Sequence, residues 1–234
     1  MQTLLEAPRE LVKLWPAGLL HCFLSLSDTR PDVVPGRFLA EYVTSLDQSS
    51  PGCWHMKRVL ELGSGVGLVA ITAALFGAVV MATDRESWLV QENIARVQET
   101  VQGSGGPVQA STLEWGQSIE VVTDWGQKPV DIILGSDLLY NPESHMDLLK
   151  TLTDVCEWTH TTTVILAQER RQGSSEDEFF EEAKDAGFLI EQVDFNGLPD
   201  RSESASDACC RWLDLETAKW VERFVITRMT KLPS

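Results

Sequence analysis

Val59-Leu60-Glu61-Leu62-Gly63-Ser64-Gly65-Val66-Gly67 is the stretch whose reading decides the fold. Arg58 to Leu62 is a largely apolar run of strand length, and the glycines end it. Leu68 to Phe76 follows as a helix of small and apolar residues. Glycines at 63 and 65 let the backbone turn tightly and approach a ligand. The N-terminus of the helix offers free N–H groups and a partial positive charge to whatever lies there. Val79 to Asp84 reads as the next strand, and Asp84 ends it 17 residues after Gly67. An acidic residue at that place can accept hydrogen bonds from ribose hydroxyls.

Outward from this unit, strands and helices alternate. Glu86 to Val101 is an amphipathic helix, and Gly103 to Pro107 a loop. Val108 to Trp115 reads as a third strand and Asp131 to Ser136 as a fourth, buried one. Glu143 to Glu157 is a helix, Thr162 to Gln168 a strand, and Ser175 to Gly187 a helix with acidic residues in its first turn. Leu189 to Phe195 and Phe224 to Met229 complete seven strands. The pattern predicts an α/β fold with a doubly wound, mostly parallel sheet and ligands at the carboxyl ends of its strands. Residues 1–55 read as a short N-terminal appendage, helical around 17–26 and 37–46, packed on a main domain of residues 56–234. Residues 196–223 form an insertion before the last strand, Ser/Asp-rich in its first half and helical from Arg211 to Glu222.

The 234 residues are 43% hydrophobic and 23% charged, which excludes a disordered chain. Thirty-five acidic residues against 19 basic ones leave a net charge of −16. That sign argues against non-specific binding to nucleic acid or to an anionic membrane. Five cysteines, at 22, 53, 156, 209 and 210, form no CxxC pair and no His-plus-Cys cluster. Free thiols in a reducing compartment are expected, and no metal. Gly65 to Thr83 is uncharged for 19 residues, nearly a bilayer span. Gly77-Ala78 interrupts it, so a buried helix followed by a buried strand is expected instead. The apolar stretch Gly18 to Leu24 follows Trp15-Pro16 with no net positive n-region before it, so no export signal is expected.

Dinucleotide sites favour G-x-G-x-x-G, whereas this loop is G-x-G-x-G with Glu61 two positions before the first glycine. The form E-L-G-S-G-x-G resembles motif I of class I S-adenosylmethionine methyltransferases, whose fold is a Rossmann-like seven-stranded sheet. Trp15-Pro16-Ala17-Gly18, the Asp84-Arg85 step, Leu113-Glu114-Trp115-Gly116 and Asp137-Leu138-Leu139-Tyr140 follow in order. Together they resemble the methyltransferase-like 21 group of protein-lysine methyltransferases, which carry a D-x-x-Y motif. The resemblance runs from about Trp15 to Glu182. It implies that Trp15, Glu61, Gly63, Ser64, Gly65, Asp84, Trp115 and Ser136 surround S-adenosyl-L-methionine, and later the product S-adenosyl-L-homocysteine. It implies that Asp137 and Tyr140 are catalytic and meet the incoming side chain. Here only 14 residues precede Trp15, where relatives have a β-hairpin region.

Several of these residues also have ordinary structural readings. Trp15 and Trp115 could be core, Asp84 a helix N-cap, and Tyr140 the close of a turn before Pro142. An acid after an apolar strand, as at Asp137, costs free energy unless something uses it. The resemblance implies methyl transfer to a lysine of a protein partner, with the lysine in a basic context suited to the acidic surface. The same fold acting on Arg, His or a small molecule, or a cofactor-binding scaffold with little catalysis, are the alternatives. Base-amine methyltransferases carry [DNS]-P-P-[YFW] where this chain has Asp-Leu-Leu-Tyr, which argues against a nucleic-acid substrate. A monomer in the cytoplasm, and in the nucleus as a second location, completes the expectation.

Overall fold

The computed structural model describes residues 34–125, 128–159, 161–169, 175–193 and 224–232. Trp15, the 17–26 helix and the 196–223 insertion fall outside the described residues. Helix α1 spans Val34–Ser49, β1 Arg58–Leu62, α2 Leu68–Leu75, β2 Val79–Asp84, α3 Trp88–Ser104 and β3 Val108–Thr112. A short α4, Glu120–Thr123, precedes β4, Ile132–Ser136. Two 3-10 turns, Leu138–Tyr140 and Pro142–Ser144, lead into α5, His145–Thr159. Then come β5, Thr163–Glu169, α6, Ser175–Asp185, β6, Phe188–Val193, and β7, Phe224–Lys231.

The seven strands form one sheet in the order β3-β2-β1-β4-β5-β7-β6. All neighbours are parallel except β7, which runs antiparallel to both β5 and β6. The chain winds outward from β1 to β3, then returns to place β4 on the other side of β1. The switch point therefore opens between the carboxyl ends of β1 and β4, where Leu62 pairs with Gly135. The glycine loop leaves one strand there and Asp137 follows the other.

Strand side chains alternate between two cores. Val59, Val80, Ala82, Leu134 and Ile165 face a cluster shared with α1, α2 and α3. Leu60, Leu62, Met81, Ile133, Val164 and Leu166 face a second cluster shared with α5 and α6. Every residue of α2 is buried, which explains its lack of charge. At its start Gly67 holds φ 82°, and a Cβ there would lie 2.6 Å from Val90 Cγ2, so α2 and α3 pack backbone to side chain. Leu39, Ala40 and Val43 of α1 are fully buried in the first cluster, and the Trp54 indole N–H donates to the Val43 carbonyl at 3.0 Å. Among the described residues no helix is long and apolar enough to cross a membrane.

Several expected boundaries move. Pairing of β3 with β2 stops at Asp84 opposite Thr112, so Trp115 lies beyond the strand that was expected to carry it. Helix α5 starts at His145 rather than Glu143, because Asn141 accepts from the Glu143 N–H and caps a separate turn over Pro142. Helix α1 runs longer than its expected 37–46, and α4 was not expected.

Candidate active site

The glycine loop is pinned by backbone bonds on both flanks. The Ser64 N–H donates to the Thr83 carbonyl at 2.9 Å, and the Gly67 N–H to the Ser64 carbonyl at 2.7 Å. Asp84 holds the loop from the next strand, since its Oδ2 accepts the Gly65 N–H at 2.8 Å. Its Oδ1 accepts the Glu86 N–H at 3.2 Å, so Asp84 organises the loop after β2 rather than capping α3, which starts at Trp88. Each carboxylate oxygen keeps a further lone pair for a hydroxyl donor.

Gly63 and Gly65 have φ 59° and 51°, a region that disfavours side chains. They face different surroundings. A Cβ on Gly63 would lie 2.7 Å from Leu138 Cδ2 and 3.3 Å from Trp115 Cζ2, so this glycine is closely covered. A Cβ on Gly65 would meet nothing within 4 Å among the described residues. Ser64 is only 6% exposed, and its buried Oγ has no hydrogen-bond partner among the described residues. An orphaned hydroxyl beside open backbone is a place where a polar ligand completes the hydrogen bonding. With the free lone pairs of Asp84, these groups fit the ribose-bearing cofactor expected from the sequence.

Glu61 is 1% exposed, and its Oε2 accepts the Ala70 N–H of α2 at 2.9 Å. It satisfies one of the donors that the helix start leaves free. Burial pushes its pKa up to about 8, opposed by the Ala70 N–H and aided by the Asp84 charge. The side chain expected among the cofactor contacts is thus bonded into the base of the loop.

Across the switch point, Asp137 sits at φ 53° and ψ 41°, one of two non-glycine residues at positive φ among those described. Its N–H donates to the Ala167 carbonyl of β5 at 2.8 Å. Leu138 and Leu139 are buried, while Tyr140 is 65% exposed. Leu138 fills the space that a Cβ on Gly63 or on Gly135 would need, at 2.7 Å and 2.5 Å. One leucine thereby joins the glycine loop to the D-x-x-Y turn. Ser136 is half-buried beneath α1, where a Cβ on Gly36 would approach its Oγ to 3.4 Å.

The indole of Trp115 is half-buried over Gly63. Its loop is tied to α5, because the Gly116 N–H donates to Thr151 Oγ1 at 2.8 Å. His145, at the start of the same helix, lies 3.2 Å from the Leu139 carbonyl through Nε2. The structure therefore gathers Glu61, Gly63, Ser64, Gly65, Asp84, Trp115, Ser136, Asp137 and Tyr140 along one sheet edge. Sequence reasoning missed Leu138, His145 and Thr151. Gly135, a lone glycine inside a strand, was the available signal of a close approach. Among the described residues no group of three or more His, Cys, Asp and Glu is arranged to hold a metal ion.

A family model described as lysine methyltransferase matches residues 12–186. Protein N-lysine methyltransferase METTL21A of Danio rerio is 37% identical over 145 residues, 62% of this chain and 63% of that protein. Protein-lysine methyltransferase METTL21E of Mus musculus is 33% identical over 187 residues, 79% of this chain and 66% of that protein. The chain thus spans a little under two thirds of these curated relatives. Magnesium protoporphyrin IX methyltransferase from Synechocystis, solved with bound SAH, superposes with a TM-score of 0.53. That superposition covers 84% of this chain and 82% of the other at 16% identity, which is a likeness of fold.

Proposed function

The chain belongs to the lysine methyltransferase family, and on that premise we propose that it transfers a methyl group from S-adenosyl-L-methionine to a lysine side chain of a protein partner. The observation that carries this reading is Leu138, which packs against Gly63 and so sets the D-x-x-Y turn beside the glycine loop. The names of the relatives support lysine as the acceptor.

Ser64, Gly65 and Asp84 would hold the cofactor, with Trp115 covering it and Ser136 and Trp15 completing the surround. When bound, that cofactor supplies the electrophilic methyl group and a neutral thioether leaving group. The protein contributes alignment and exclusion of water. A free lysine has a pKa of ~10.4, so presenting the neutral amine at pH ~7.4 costs about 4 kcal/mol. A carboxylate favours the ammonium form and raises that cost. Asp137 therefore captures and orients the incoming ammonium, whose proton leaves to water. Tyr140 then directs the nitrogen lone pair toward the methyl group.

Net charge supports the rest of the reading. At −16 the surface suits a lysine in a basic protein context and repels nucleic acid and anionic membrane. The scarce cysteines suit the reducing cytoplasm or nucleus. Without a coiled-coil pattern in the sequence, a monomer is the simplest working state.

The test is transfer of labelled methyl groups into a fractionated cell extract, with labelled bands hydrolysed to identify the modified amino acid. Asp137→Asn is the control, because asparagine tolerates the left-handed backbone and removes only the charge. We expect methyl-lysine from one or a few bands. In the variant, transfer should fall about 10- to 100-fold, the worth of a charge-assisted hydrogen bond, with cofactor affinity little changed. Methyl-arginine, methyl-histidine, no labelled protein, or undiminished turnover in the variant would overturn the reading.

A further inference from the structure

The turn that carries Asp137 and Tyr140 has a backbone group that its own sequence cannot satisfy. The Leu139 carbonyl belongs to a three-residue 3-10 turn, Leu138–Tyr140. In such a turn a carbonyl bonds to the N–H three residues on. That residue is Pro142, which has no N–H. The next N–H, at Glu143, is taken by the Asn141 side chain at 3.2 Å. The partner comes instead from His145, whose Nε2 lies 3.2 Å from the Leu139 oxygen. A carbonyl only accepts, so Nε2 carries the hydrogen.

We propose that His145 is a positioning residue that orients Tyr140 by fixing the peptide between Leu139 and Tyr140. The inference rests on the methyl-transfer reading given above. Leu138 and Leu139 are locked by burial, and Asp137 by its N–H bond to β5. Tyr140 is 65% exposed, so packing holds little of it. What aims its side chain is the plane of the peptide that precedes it, and the oxygen of that peptide is the atom His145 grips. His145 is itself well anchored. It is 5% exposed and meets the Phe179 ring edge-on, with centroids 5.5 Å apart at 70°. An apolar residue would fill that space without the cost of burying a polar ring, so the imidazole is explained by the bond it makes.

The experiment compares His145→Phe, which keeps a ring against Phe179 but removes the donor, with His145→Gln, which returns an N–H near the Nε2 position. Both are made in wild-type and Tyr140→Phe backgrounds, and turnover is read at saturating cofactor and acceptor. We expect His145→Phe to lower kcat about tenfold, with cofactor affinity within about twofold, and His145→Gln to recover most of the loss. Tyr140→Phe should cost a similar factor. The double variant should lose about tenfold, not a hundredfold, because both changes remove one placed hydroxyl. Unchanged kcat in His145→Phe, or the same loss repeated in the Tyr140→Phe background, would overturn the proposal. Amide exchange over residues 138–141 supplies a readout free of methyl transfer, and it should quicken in His145→Phe and not in His145→Gln. Were the wild type to yield no methyl-lysine, the acceptor reading would fall, and the exchange comparison would still decide the role of His145.

Discussion

Glu61 is a carboxyl group placed where almost no water reaches, at 1% exposure within β1. Burial holds its pKa up to about 8, against 4.5 for the ordinary group. In the window between those values the folded chain keeps a proton that the unfolded chain has released. The native state then binds more protons than the unfolded state, so this residue's contribution makes stability fall as pH rises through that window. Above about pH 8 both states are ionised and the loss is complete. The swing is on the order of 5 kcal/mol at ~1.4 kcal/mol per pKa unit. Glu61→Gln keeps an acceptor for the Ala70 N–H and does not titrate. Urea unfolding at pH 5, 6.5 and 8 should show the wild type losing stability relative to Glu61→Gln. A gap that stays constant would mean that Glu61 is ionised in the folded protein throughout. The same residue was legible only in part. Its place before the glycines was legible, while its bond into α2 depends on which way a strand side chain points.

Helix α5 ties both sides of the site to one rigid element. His145 at its start holds the D-x-x-Y turn, and Thr151 holds the loop of Trp115. Thr151 is fully buried, donates to the Asp147 carbonyl at 3.0 Å and accepts the Gly116 N–H. Gly116 sits at φ 77°, and a Cβ there would lie 2.5 Å from Asp147 Oδ1, so the loop has little other way to lie against the helix. Thr151→Val keeps the shape and strands that N–H, at a cost of ~1–3 kcal/mol. Calorimetric titration with S-adenosyl-L-methionine should show affinity weakened about tenfold, with kcat at saturation nearly unchanged. Unaltered affinity with a slower transfer step would place the Trp115 loop on the acceptor side instead. None of this was legible in the sequence. Strands β1 and β2 were, because buried parallel strands write themselves as largely apolar runs. The end of β3 was not, because Leu113 and Trp115 are residues a strand would also carry, whereas pairing stops at Thr112, where the partner strand ends at Asp84. Gly135 signalled a close approach but not that Leu138 makes it, since the role of Leu138 is defined by two glycines, one of them 75 residues away in sequence.

At the scale of the whole molecule, charge and topology act on the same edge. A net charge of −16 surrounds the protein with a field that attracts cations from any side. The topology adds direction. Helix α6 follows β5 at the carboxyl edge of the sheet and opens with Glu176, Asp177 and Glu178, while Glu143 and Asp147 flank the D-x-x-Y turn. On the proposed reading a lysine-rich acceptor would be drawn toward the edge that carries Asp137, and the gain would appear in its rate of arrival. Such a field reaches ~30 Å at 0.01 M salt and ~10 Å at 0.1 M. Raising salt between those values should lower kcat/KM for a lysine-rich peptide about tenfold and leave kcat at saturation unchanged, because long-range steering affects encounter and not the transfer step. A peptide with one lysine in a neutral context should respond far less. Initial-rate measurements on the two peptides across a salt series would decide it. Equal responses would mean that contacts inside the site select the acceptor and that the acidic surface serves solubility alone.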